Sequence, residues 1–269
     1  MLEHKIQKIS PHITQITDPA GVFLFLVEGE KEAALVDTGV GFAGLKETVD
    51  SLTSLPLSVI LTHMHPDHAG GAGAFEKVYV HPKDLPLAEQ MNLQGRMRFG
   101  SGAIHDTRLT PEDFIPTPVD KAFLPLSDGQ VFNLGGISLE IIHVPGHTPG
   151  SCCVLFREER SILFGDACNA NTLILWGCPI SLYKEGLRHL QTYRSRFDTV
   201  YYSHGPVPEG PGVSLEDNLE LCDRILAGTD DKIPDSFIGI PGFRAAAMKD
   251  YGRLDGGYGN ILYTEDARK

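Results

Sequence analysis

Thr62-His63-Met64-His65-Pro66-Asp67-His68-Ala69-Gly70-Gly71 follows directly on the β-branched apolar run Leu57-Ser58-Val59-Ile60-Leu61. The run reads as a strand. In extended backbone residues i and i+2 share a face, so His63 and His65 can grip one ion. Pro66 then turns the chain into a helix, which redirects Asp67 and His68 toward a neighbouring position. One six-residue segment thus offers donors to two adjacent ions. Imidazole and carboxylate suit zinc, and also iron or manganese. A lone histidine is ordinarily a packed or surface residue. Three histidines and an aspartate together are a different case: a core would have to supply many hydrogen-bond partners, and a surface gives them no packing purpose.

On the amino-terminal side, Val22 to Val27 and Ala33 to Val36 read as buried strands, the second ending at Asp37-Thr38-Gly39, and Leu45 to Leu52 as a helix. Gly70 to Phe75 is helix-compatible, and Val78-Tyr79-Val80 closes the unit. From about 82 to 121 the strand period is lost, and the stretch reads as a cap-like insertion of short helices and loop over a cleft. Strands return at Ile137 to His143, Cys152 to Phe156 and Ile162 to Phe164. A helix is expected over about Leu182 to Phe197, a strand at Thr199 to Ser203, a helix at about Leu215 to Ala227 and a closing strand at Asn260 to Tyr263. The whole of 1–269 is expected to be one domain, built of two βα-rich halves whose polar strand ends meet in one cleft.

Three more polar residues stand on glycine-bounded turns where strands end: His147 in Val144-Pro145-Gly146-His147-Thr148-Pro149-Gly150-Ser151, Asp166 after Ile162-Leu163-Phe164-Gly165, and His204 after Val200-Tyr201-Tyr202-Ser203. Singly each reads as a capping or turn residue. Together with the first segment they complete two coordination shells.

With these residues in place the chain resembles the metallo-β-lactamase-fold hydrolases, through H-x-H-x-D-H followed at wide spacing by His147, Asp166 and His204. The match runs from Asp37 to His204, about three-fifths of the sequence. The resemblance implies an α/β (αββα) sandwich of two mixed sheets flanked by helices. It implies that His63, His65 and His147 bind one metal, that Asp67, His68 and His204 bind a second, and that Asp166 bridges them. Asp37 matches the family's first motif, and its expected role is to support the ligand loop without ligating. The implied cofactors are two divalent ions, zinc first, with iron or manganese also suited. Such ions ~3.5–4 Å apart share a water and lower its pKa enough to hold hydroxide near neutral pH. Asp67, Asp166 and His204 are accordingly the expected catalytic set.

A net charge of -12 weighs against a nucleic-acid partner, and no run approaches the roughly 20 apolar residues of a membrane span. A small-molecule substrate carrying an anionic group is expected, in a cytoplasmic setting. Five cysteines without a CxxC pair read as buried thiols, not as a disulfide framework.

Among the family's branches, the β-lactamases generally lack the bridging Asp, flavodiiron members replace the second histidine of the motif, and tRNA-processing nucleases carry basic exosites that this acidic chain does not show. Glyoxalase II-like thioesterases and lactonases share all seven ligands, the lactonases often adding a Tyr such as Tyr183 or Tyr202. The expected reaction is hydrolysis of an ester, thioester or lactone. The alternatives are a phosphodiesterase or a mononuclear iron persulfide dioxygenase-like enzyme. Arg96, Arg98 and Phe99 in the insertion, with Trp176 and Tyr183, are the candidate substrate contacts.

Overall fold

The computed structural model describes residues 2–117, 121–205, 213–250 and 252–269. The sequence reading takes 1–269 as one domain; the structure groups the chain into two compact units, Met1–Ile141 with Phe156–Glu159, and Ile142–Leu155 with Arg160–Lys269.

The first unit is built on a seven-stranded mixed sheet whose strands lie in chain order: β1 (Lys5–Lys8), β2 (Ile13–Thr17), β3 (Phe23–Glu28), β4 (Ala33–Val36), β5 (Leu57–Ile60), β6 (Val78–Val80) and β7 (Leu124–Pro125). β1 to β4 pair antiparallel, and β4 to β7 pair parallel. The parallel half places the polar loops, because parallel neighbours end side by side. Asp37 leaves the carboxyl end of β4 and Thr62-His63 that of β5, so sequence positions 25 apart become adjacent. Every side chain of β4 is buried, as expected of a strand covered on both faces. Helix α1 (Leu45–Leu52) buries Leu45 and Val49 and leaves the Lys46–Asp50 ion pair outside. Helix α2 (Pro66–Ala69) opens on proline, the residue favoured at the first helical position. Gly70 to Phe75, read as helix-compatible, forms only a 3-10 turn over Ala72–Ala74.

The insertion is packed, not a structureless loop. A 3-10 segment (Pro82–Gln90), helix α3 (Leu93–Ile104) and a 3-10 turn (Pro111–Asp113) occupy it, and Met91, Phe114 and Ile115 belong to the core of the first unit. Its last part, 118–120, lies outside the described residues. Strand β8 (Val131–Asn133) pairs antiparallel with β9 (Ser138–His143), within which the chain passes to the second unit.

In the second unit β10 (Cys152–Phe156), β11 (Ser161–Leu163) and, beyond it, β13 (Thr199–Tyr201) are successive neighbours in one sheet. β11 and β13 are parallel, which sets the loops after them next to each other. A further sheet runs β12 (Asn171–Ile174), β18 (Asn260–Tyr263), β15 (Ile240–Arg244), β14 (Ile233–Phe237), and β16 (Met248–Lys249) pairs with β17 (Gly252–Arg253). β14 is an edge strand. Its hairpin to β15 turns through Ile238 and Gly239, both at positive φ (45° and 83°), as a two-residue primed turn demands. Pairs alternate from that turn, so Pro234 and Ser236 direct their backbone at the open edge. Proline has no N–H, and the Ser236 N–H donates to Asp235 Oδ1 at 2.7 Å.

Helices α4 (Ile180–Gln191) and α5 (Ser214–Ala227) cover this unit's core. α4 buries Ile180, Tyr183, Gly186, Leu187 and Leu190, a helical stripe. It ends earlier than the sequence suggests: Thr192 and Tyr193 bond three residues back, to His189 and Leu190, which tightens the chain into 3-10 turns before Phe197. All five cysteines are buried and unbridged. Burial pushes the Cys168 thiol up to about 12 and Cys153 and Cys222 well above the usual thiol range. Thiolate is the reactive form. Ellman's reagent at neutral pH should therefore titrate close to none of the thiols in the native protein and all five in denaturant; fast native labelling would contradict this packing.

Candidate functional site

In the first unit, His63-Met64-His65 continues β5 in extended form. The alternation that sends Met64 into the core turns both histidines to the other side. His63 Nε2 and His65 Nδ1 lie 3.2 Å apart. Helix α2 then carries Asp67 and His68, whose Oδ2 and Nε2 are 3.7 Å apart. The His63 and His68 rings lie 4.1 Å apart between centroids, tilted at 45° to each other, so the two pairs adjoin.

Asp37 organises this cluster from behind. It is fully buried, with φ 64°, a left-handed conformation that Asp tolerates better than most residues. Its Oδ1 accepts the Thr62 N–H (2.7 Å), and its Oδ2 accepts the Thr62 hydroxyl (2.8 Å) and His68 Nδ1–H (2.9 Å). With the Thr62 proton committed to Asp37, His63 Nδ1–H is the donor to Thr62 Oγ1 at 3.1 Å. Both rings thereby carry their lone pair on Nε2, the tautomer a metal ligand needs. Two supports were not foreseen from sequence. Thr38 donates through N–H and Oγ1–H to His68 O (2.7 and 2.9 Å), and Asp84 Oδ2 accepts the Met64 N–H at 3.0 Å, pinning the residue between the two histidines.

In the second unit, His147, Asp166 and His204 come together from three loops. Asp166 Oδ2 lies 3.5 Å from His147 Nε2 and 3.4 Å from His204 Nε2. His147 Nδ1–H donates to Leu173 O at 2.9 Å, again leaving the lone pair on Nε2. Gly146 is required beside it, because a Cβ there would collide with the Tyr183 ring. Trp176 meets the His147 ring edge-on at 5.0 Å and is half-buried.

The donor chemistry fits divalent transition ions. A tetrahedral ion with donors ~2.0–2.1 Å away has donor–donor edges of about 3.3–3.4 Å. Three of the four pairs above lie within a few tenths of an ångström of that length (3.2, 3.4 and 3.5 Å), and the fourth is somewhat wider (3.7 Å).

Of the candidate substrate contacts, Arg98 and Phe99 are exposed on α3, Phe99 at 37%. Arg96 and Tyr183 are not available to a substrate. Arg96 is fully buried; Nη1 donates to Gly70 O (2.9 Å) and Val40 O (3.4 Å), and Nη2 to Ile115 O (2.8 Å) and Thr117 Oγ1 (3.0 Å). It ties the insertion to the loops around α2. Tyr183 is a core residue whose hydroxyl donates to Thr172 Oγ1 and lies 3.2 Å from Asn218 Nδ2. Tyr202 is also buried, against Ser214. No helix among the described residues is long and apolar enough to cross a membrane.

A family model, the metallo-beta-lactamase superfamily, matches residues 17–217. The acyl-coenzyme A thioesterase MBLAC2 of Bos taurus is 32% identical over 175 residues, 57% of this chain and 60% of that protein. The atrochrysone carboxyl ACP thioesterase AacuM of Aspergillus aculeatus is 26% identical over 234 residues, 81% of this chain and 63% of that protein. The chain thus spans about 60% of the length of the curated relatives it matches. Among solved structures, a metallo-beta-lactamase from Pontibacter korlensis aligns over 82% of this chain and 99% of its own at TM-score 0.57 and 19% identity. The sec-alkylsulfatase Pisa1 from Pseudomonas sp. aligns over 84% and 42% at TM-score 0.61 and 16% identity, a likeness of fold alone. The α/β architecture of mixed sheets and helices, the motif at 63–68 and the family match agree: the chain belongs to the metallo-beta-lactamase superfamily.

Proposed function

We propose that the chain is a two-metal hydrolase of acyl thioesters. In this reading His63, His65 and His147 hold one divalent ion, Asp67, His68 and His204 the other, and Asp166 both. The observation that carries it is the single oxygen Asp166 Oδ2, set within 3.5 Å of two histidine nitrogens that come from different loops. Bound ions at these donors would activate water and polarise the substrate carbonyl. The protein's own part is orientation. Asp37, Thr62 and Leu173 O hold three imidazoles in one tautomer, and Asp84 and Thr38 hold the backbone that presents them. Zinc is the ion this nitrogen-rich set favours, and iron or manganese suit it as well.

Thioester is preferred over ester or lactone because two groups of relatives carry names of thioesterases, one naming acyl-coenzyme A and one atrochrysone carboxyl ACP. Arg98 and Phe99 offer a charge and an apolar face to such a substrate. The test combines metal analysis with a substrate panel: acyl-coenzyme A and acyl-pantetheine thioesters, p-nitrophenyl esters, lactones, a chromogenic cephalosporin and bis-p-nitrophenyl phosphate, with zinc or manganese added. Two ions per chain are expected, with kcat/KM for a thioester about tenfold or more above the other acyl substrates. A phosphodiester turned over about a hundredfold better than every acyl substrate replaces the reading with a phosphodiesterase. Reproducibly one iron and no second metal replaces it with the dioxygenase-like alternative.

A further inference from the structure

Asp166 and His204 are delivered by loops at the carboxyl ends of two parallel neighbours, β11 and β13, and one hydroxyl group joins both loops. Ser214, the first residue of α5, is fully buried. Its Oγ–H donates to Cys168 O at 2.6 Å, two residues beyond Asp166. A hydroxyl has one proton, so the Tyr202 phenol, 3.2 Å away, is the donor to Ser214 Oγ. Tyr202 stands two residues before His204. The bonds from Tyr202 to Ser214 to Cys168 therefore run in one direction from one loop to the other. One turn along α5, Asn218 Nδ2 donates to Asn169 O and Thr172 Oγ1, both at 3.1 Å. Asn169 Nδ2 in turn lies 3.5 Å from Asp166 Oδ1, the oxygen other than the one that meets the histidines.

We infer that Ser214 is a positioning residue that sets the spacing of Asp166 and His204, and through it the metal affinity of that donor pair. The sheet ladder governs the two strands only as far as Phe164 N–H to Tyr201 O. Beyond that point their separation depends on what links the loops. Metal sites tolerate donor displacements of only about 0.2 Å, so a link of this kind acts on affinity before it acts on the fold. The inference rests on the two-metal reading.

Cobalt(II) uptake by the metal-stripped chain, measured against a competing chelator, tests it. Ser214→Ala is expected to weaken uptake of one of the two ions about 10–100-fold. Tyr202→Phe should cost less, and the double variant no more than Ser214→Ala, because both act through one hydroxyl. Ile225→Val, which trims a buried side chain of the same helix, should lower Tm and leave both affinities as they are. If Ser214→Ala does not fold, Tyr202→Phe, which keeps the bond to Cys168, carries the test. A folded variant within about twofold of wild type overturns the inference, as does an Ile225→Val loss equal to that of Ser214→Ala. Wild type that takes up no cobalt overturns the two-metal reading, and the inference with it; two ions bound with Ser214→Ala unchanged overturns the role of Ser214 alone.

Discussion

Asp166→Ala should leave a folded protein that holds no more than one ion and turns over substrate about 10³-fold more slowly or worse, the scale on which loss of an electrostatic stabiliser acts. Its Oδ2 is the oxygen common to His147 and His204, so one truncation removes a donor from both sides at once. Asn169 Nδ2 stands 3.5 Å from the other oxygen of Asp166, Oδ1. Asp37→Ala makes the contrast. It should keep both ions at reduced affinity and cost about 10–100-fold, because Asp37 acts by orienting His68 and Thr62. Metal analysis of the two purified variants beside their kcat/KM values checks both. Two ions and full activity in Asp166→Ala would remove the bridge from the mechanism.

Arg96→Ala should destabilise the fold by about 3–5 kcal/mol. Three backbone carbonyls, of Gly70, Val40 and Ile115, lose their charged donor, and the truncated side chain leaves a void among buried groups. In a protein of this size that corresponds to a fall in Tm of roughly 10 °C. Arg98→Ala, on the exposed side of the same helix, should leave Tm nearly unchanged and act on KM alone if the substrate's anionic end meets it. Thermal melts and KM values for the two variants separate the roles. An Arg96→Ala protein with wild-type Tm and a raised KM would mean that the buried hydrogen bonds do not matter and a substrate contact does.

These two arginines also mark how far the sequence could be read. The order extended segment, proline, short helix was legible at 62–71 because periodicity and proline chemistry are local. So were β4, β6, β10 and β18, whose apolar runs announce their length, and α1, whose Leu45, Val49 and Leu52 recur at helical spacing. Arg96 and Arg98 look alike in sequence; which one is buried depends on Gly70 and Ile115, 26 and 19 positions away. Tyr183 was misplaced for the same reason, since its partners Thr172 and Asn218 are remote. β1 and β2 escaped because short polar strands such as Lys5–Lys8 have no apolar run to reveal them. The β14–β15 hairpin was hidden by Pro234, Pro241 and Gly242, residues that usually argue against a strand. In the candidate site the donors were recognisable by type. Thr38, Thr62, Asp84, Ser214 and Asn218, which aim or brace them, were not, because only the pairing of parallel strands and helices brings them near.

That hairpin bears on how the protein behaves at high concentration. Strand-by-strand growth of fibrils or adventitious oligomers needs alternating donors and acceptors along an open edge. At Pro234 the donor is missing, and at Ser236 it is already taken by Asp235. An extended segment from another molecule would meet carbonyls with nothing to answer its own, and the ladder could not propagate. Although Ile233, Phe237 and Ile238 are exposed there, the last at 72%, β14 is chemically closed to templated aggregation.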